Sequence, residues 1–281
     1  MRALLCLALV ACSSPQQATM TNDNTAPTWF RGVWKREWVR DRDVPAHEDR
    51  IVRDVQTPSV FGSVRIPLAR PAITATSFEQ LDDVQLRALL EQKGFAGIAT
   101  FEDRVAVWEH QIDFRPPGGT DTARLTRQSP TAVLEEGLDG DFAELWWNLA
   151  PNDGRYLGIQ VTRQGRVERV LSVVGDHFVY ARNRARDLPR AESLVALVDQ
   201  MHATRAQIVE LLDCELSYGF VRGGRVPWEI RHSTLPWREG QSLDFARDII
   251  VDGNGLRVSD GSVLVNTFTP DDLRVMFSAA R

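Results

Sequence analysis

The chain has 281 residues, 43% of them apolar and 25% charged, with a formal net charge of -5. That balance belongs to ordinary folded domains, and the net negative charge argues against nucleic acid as the main partner. The basic residues are 31 Arg and 2 Lys, which reads as coding bias rather than a polyanion site. A typical domain holds about 100–150 residues, so the length predicts two.

Residues 1–28 read as a signal and a polar tether. Met1-Arg2 precedes an apolar run, Ala3 to Ala11, and Leu9-Val10-Ala11-Cys12 resembles a bacterial lipobox. A membrane helix needs about 20 apolar residues, whereas a signal core needs about 7–15. Cys12 is therefore expected to be lipidated, anchoring the protein in the bacterial cell envelope and touching the membrane only through that lipid. The alternative start at Met20 would leave it in the cytoplasm.

Domain one is expected over 29–150. Trp34, Arg36 and Trp38 alternate with Val33, Lys35, Glu37 and Val39, the period of a strand. Arg50–Val55 and Val60–Ile66 are two more strands, parted by Thr57-Pro58-Ser59. Ser77 to Gln80 has capping-box spacing, and Leu81, Val84, Leu86, Leu89 and Leu90 supply the apolar stripe of a helix. Short strands then follow over 98–101, 105–114, 123–127, 132–135 and 142–148.

Domain two, over 151–281, repeats that order. Strands are expected over 155–164, 166–174 and 177–183, helices over 191–201 and 206–212, then six short strand segments and a closing helix near 270–277. The similarity is also literal. Arg50 to Pro71 reads again from Arg169 to Pro189, Val107-Trp108-Glu109 again at Pro227-Trp228-Glu229, and Pro116, Gly137, Asp141 and Leu145 again at Pro236, Gly255, Asp260 and Leu264. The offset is too long for a solenoid, whose unit runs to roughly 20–50 residues. The predicted class is mainly β: two tandem antiparallel barrels, each with one or two short helices.

Gly32-Val33-Trp34 is similar to the Gly-x-Trp that opens lipocalin-type barrels. Together with the blocks 60–67, 94–97, 108–117 and 134–137, it resembles a double lipocalin-like, calycin-type family. That family is known from fungi as a casein-kinase-interacting protein and has bacterial relatives. The resemblance implies two calycin-like barrels and no established catalytic activity.

On the predicted strand 105–114, Ala106, Trp108, His110, Ile112 and Phe114 share one face. Trp228, Ile230 and His232 do so on 226–234. If that face points inward, Trp108, His110 and Phe114, together with the Trp34 of the Gly-x-Trp opening, would line a site for a small apolar or amphipathic ligand; the plainer reading is a packed core. Glu109 and Glu229 fall on the opposite face, as expected of solvated acids. Arg182, Arg184, Arg186 and Arg190 read as a solvated rim. Cys214, the one cysteine of the folded part, reads as a small buried apolar residue. No nucleophile elbow, phosphate loop or metal spacing occurs, so no enzyme, cofactor or metal is expected. Two functions stay open: a binder of a small hydrophobic ligand, or a protein-interaction module whose barrels are filled.

Overall fold

Alternation of inward and outward residues governs the first half of the chain. In the computed structural model, which describes residues 24–116, 118–151, 154–252, 255–259, 264–268 and 277, eight strands close into a barrel. They are β1 (Gly32–Asp41), β2 (Arg50–Gln56), β3 (Val60–Pro67), β4 (Lys93–Glu102), β5 (Val105–Asp113), β6 (Thr120–Ser129), β7 (Ala132–Gly137) and β8 (Phe142–Pro151). Each pairs antiparallel with its successor, and β8 returns to β1. Closure removes the free edges on which other chains could pair. On β3, Phe61 and Arg65 point into the barrel, while Val60, Val64 and Ile66 point out. Residues 24–31 plug one end: Phe30 stacks on Trp34 at 5.1 Å, and its carbonyl accepts from Trp34 Nε1 at 2.8 Å.

The helix α1 (Asp83–Leu89) starts later than the sequence predicts. Ser77 makes no capping bond and precedes only a 3-10 turn over Phe78–Gln80. Asp82 takes the cap instead: its carboxylate accepts from Gln85 N, and its own N–H donates to the Gln85 side chain. A charged cap also favours the positive end of the helix dipole, which a serine cannot match.

The second half contains β9 (Tyr156–Arg163), β10 (Arg166–Val174), β11 (His177–Arg182), α2 (Leu194–Met201), α3 (Arg205–Leu212), β12 (Glu215–Phe220), β13 (Glu229–Ser233), α4 (Phe245–Asp248), β14 (Ile249–Asp252), β15 (Gly255–Val258) and β16 (Leu264–Phe268). Six of the strands form a sheet in the order β13-β12-β11-β10-β9-β16, and β14 and β15 form a separate hairpin. This corrects the expected second closed barrel: among the described residues the sheet is open. After β13 the chain turns through the 3-10 segment Pro236–Arg238 and comes back along β13 only as a single antiparallel bridge, Ser242 to Glu229, before entering α4. Proline has no N–H to give a ladder, so it suits the turn that precedes this short return. The lipobox, Cys12 and most of the expected closing helix lie outside the described residues.

The two halves share a core. The outward faces of β2 and β3 pack against β10 and β11, joining Val55, Val64 and Ile66 to Val170, Val179 and Ala181. Gly62 permits the approach, since a Cβ there would lie 2.5 Å from Val179 Cγ1. The Ser172 hydroxyl donates to the Val55 carbonyl at 2.9 Å across the same contact. Arg184, expected on a solvated rim, is buried here. It donates to the carbonyls of Leu211 (2.5 Å), Asp113 (2.9 Å) and Phe114 (2.7 Å).

Candidate functional site

The interior of the closed barrel has an aromatic end and a charged end. Phe30, Trp34, Phe101, Trp108 and Trp146 gather near the plugged end. Trp108 Nε1 donates to Gln56 Oε1 at 3.2 Å, which fixes the indole against β2. A cavity of about 20 Å³ remains among Trp34, Trp108, Trp146 and the side chains of Asp54, Arg65 and Glu135. Beyond Arg65, Asp121 and Glu135 the barrel opens into a mouth of about 300 Å³.

Charged side chains form the layer between the two spaces. Arg36 bridges Glu144 at 2.5 Å and Glu48 at 2.9 Å, and Arg65 reaches Glu144 at 3.5 Å. The Arg65 guanidinium also lies 4.7 Å over the Phe95 ring. Buried charges persist only when paired or hydrogen-bonded, and this layer meets that requirement incompletely. Glu135 makes no hydrogen bond or ion pair to any described residue, and Glu144 Oε2 and Trp146 Nε1 are buried without a partner among them. Burial raises the Asp54 carboxyl to about 7. Burial, with repulsion from Glu144, lifts Glu135 well above the ordinary range. Burial opposes protonation of His110, but hydrogen bonds to Asp113 and Asp121 outweigh it and raise its pKa. At the mouth, burial and neighbouring arginines bring Lys93 down to about 8.

A β-bulge decides which predicted residues reach this site. Gly97 pairs with His110 and Ala96 with Ile112, so Gln111 is the extra residue of β5. The bulge reverses the alternation. Ala106, Trp108 and His110 face inward, as does Asp113, whose Oδ2 lies 2.9 Å from His110 Nδ1. Ile112 and Phe114 turn outward into the core shared with the second half. The expectation of one common face along 105–114 is thereby corrected. Trp34 and Trp108 line the cavity, and His110 stacks at 3.9 Å on Phe95, another lining residue. Phe114 lies outside the barrel, under Arg184. A bulge at Arg231, opposite Gly219, likewise parts His232 from Trp228 and Ile230. Both glycines are required by shape, because a Cβ on Gly97 or Gly219 would run into the carbonyl oxygen of Glu109 or Glu229.

The acids reading as solvated divide. Glu109 is exposed, whereas Glu229 is covered by its own partners, accepting from Arg225 N at 2.7 Å and from Arg231 Nη1 at 3.2 Å. Backbone donation from Arg225 holds its carboxyl low. The sequence reading missed Asp54, Arg65, Asp121 and Glu144. The available signal was parity: Trp34 with Arg36 and Glu144 with Trp146 stand two apart, so charge and indole share a strand face. Among the described residues no three His, Cys, Asp or Glu side chains converge to hold a metal ion.

No family model matches the chain, and no curated protein matches it. Among solved structures it is similar to the crystal structure of the uncharacterized protein YLR301w of Saccharomyces cerevisiae. The identity is 12% and the TM-score 0.47, over 84% of this chain and 98% of that one. So distant a likeness says nothing of ligand or activity.

Proposed function

We propose that this protein is a non-enzymatic, lipocalin-like binder that holds a small amphipathic ligand in the closed barrel of its first domain. The observation that carries the reading is the two-part interior, an aromatic end joined to an open mouth through carboxylates that lack full pairing. Pockets that take drug-sized ligands measure about 300–1,000 Å³. The mouth, at about 300 Å³, reaches that range, while the enclosed end admits only one small group. The bulk of the ligand therefore belongs in the mouth, with one end group inside.

The calycin-type and tandem-repeat parts of the reading rest on sequence. They gain support from the matching bulges opposite Gly97 and Gly219. Lipidation of Cys12 and anchoring in the cell envelope belong to the same proposal. Cys12→Ser should release the protein from membranes, and a native N-terminus at Met20 would refute the anchor.

Native mass spectrometry of the full chain purified from its own cells tests the binding function. A retained small molecule, lost from Trp34→Ala, is the expected outcome; a bare protein that no small molecule accompanies refutes it. The second reading, a protein-interaction module, is favoured by Trp147 and Leu149, two exposed apolar residues two apart on β8. A copurifying protein whose binding requires those two residues would support it instead.

A further inference from the structure

We infer that the ligand enters the closed barrel by a positively charged amine head, seated between Glu135 and the indoles of Trp34 and Trp108. The inference rests on the barrel being a ligand site, and it names the chemistry of the group that goes in first.

Charge balance points to a cation. Around the small cavity Arg65 alone faces the carboxylates of Asp54, Asp121 and Glu135, and only Asp121 has a further basic partner, His110, so acid is in excess there. Glu135 is only 8% exposed, lines both the small cavity and the mouth, and has no hydrogen bond or ion pair to a described residue. A carboxylate so nearly enclosed is favoured by a proton or by a cationic donor. Burial raises the Asp54 and Glu135 carboxyls; an ammonium beside them would return both to the ionised form.

The walls supply the second half of the recognition. Ring faces attract cations within about 6 Å of the centroid, and Arg65 already exploits this on Phe95 and Trp146. The rings of Trp34 and Trp108 line the same cavity with no cation over either among the described residues. The cavity, at about 20 Å³, holds a group the size of one water or one ammonium head. A metal ion is disfavoured, because the carboxylates do not converge. An anion would meet the excess acid. The free Nε1–H of Trp146 remains for an acceptor such as a hydroxyl beside the amine.

The test compares ethanolamine, ethylene glycol and glycolate, which share size and differ in charge. The readout is the tryptophan indole N–H signals of the full chain in ¹H–¹⁵N spectra at neutral pH. Ethanolamine alone should move the signals of Trp34, Trp108 and Trp146. Glu135→Gln, isosteric with the protonated acid and therefore compatible with the fold, should weaken it about tenfold or more, the loss of one charge-assisted bond. Glu135→Asp should retain binding. Amine binding should also release protons, measured by calorimetry in buffers of differing ionisation enthalpy. If glycolate or ethylene glycol moves the signals as strongly, or Glu135→Gln binds as wild type does, the cationic head is wrong and the barrel site survives. If none of the three binds while the native protein still retains a ligand, the inference falls alone. If none binds and the native protein is bare, the binding function falls with it.

Discussion

Asp54 illustrates how burial changes the chemistry of one side chain. Its carboxyl rises from 3.8 to about 7 because desolvation outweighs the pull of Arg65. The folded state thus prefers the proton, so the stability attached to this group is complete below the unfolded value of 3.8 and drains away as pH climbs toward 7. His110 acts in the same direction. Its raised pKa contributes stability below 6.5 that is lost as pH rises through the folded value. The barrel should therefore resist urea better at pH 5.5 than at pH 8. Asp54→Asn should gain up to about 4 kcal/mol at pH 8 and under about 1 kcal/mol at pH 4. Equal gains at both pH values would show that Asp54 is already solvated.

At the level of the element, one residue of bulge redirects β5. Gln111 has no single partner on β4, and the strand beyond it presents its other face. Gly97→Ala should cost about 1–3 kcal/mol, the usual penalty of overpacking, because its Cβ meets a main-chain carbonyl that cannot swing aside. The same change should perturb the His110 imidazole signals in a pH titration. A neutral effect on stability would mean the bulge is not held by that glycine. Gly62 differs, since its neighbour is a side chain. Gly62→Ala should destabilise by a similar amount, and Val179→Ala in the same molecule should recover part of the loss. Strict additivity in that double-mutant cycle would contradict the contact.

For the whole molecule, the shared core makes the halves interdependent. Arg184 satisfies three carbonyls, one on α3 and two at the end of β5, with a side chain 4% exposed. Arg184→Met keeps the bulk and removes the donors, and should cost roughly 3 kcal/mol by stranding buried acceptors. The full chain should unfold in one transition. Residues 24–151 made alone should bind a hydrophobic dye, because the outer faces of β2 and β3 would lose their cover. Two well-separated calorimetric transitions in the full chain would refute this coupling.

Local pattern was enough to read the strands of the first half, because alternation of apolar and polar residues has the period of the strand itself. Trp108 became a candidate through the face it shares with His110, and Trp34 through its place in the Gly-x-Trp opening, while the capping box of α3 on Thr204 and Gln207 lies where a helix was expected. Three matters depended on residues distant in sequence. How far the chain that returns to β13 runs along it depends on the path through Pro236 and α4; it makes one bridge at Ser242 and leaves, so the second sheet is open where pattern predicted a barrel. The outward turn of Phe114 depends on a bulge that only the pairing with β4 reveals. The charged layer of Arg36, Asp54, Arg65, Glu135 and Glu144 comes from five strands, each acid or base reading locally as a solvated residue. Closure brings them face to face, and the low dielectric of the interior turns their unequal numbers into a site. Sequence alone determined the period, and with it the strands; tertiary structure decided which side of each strand meets which, because that choice is made by contacts the local chain does not contain.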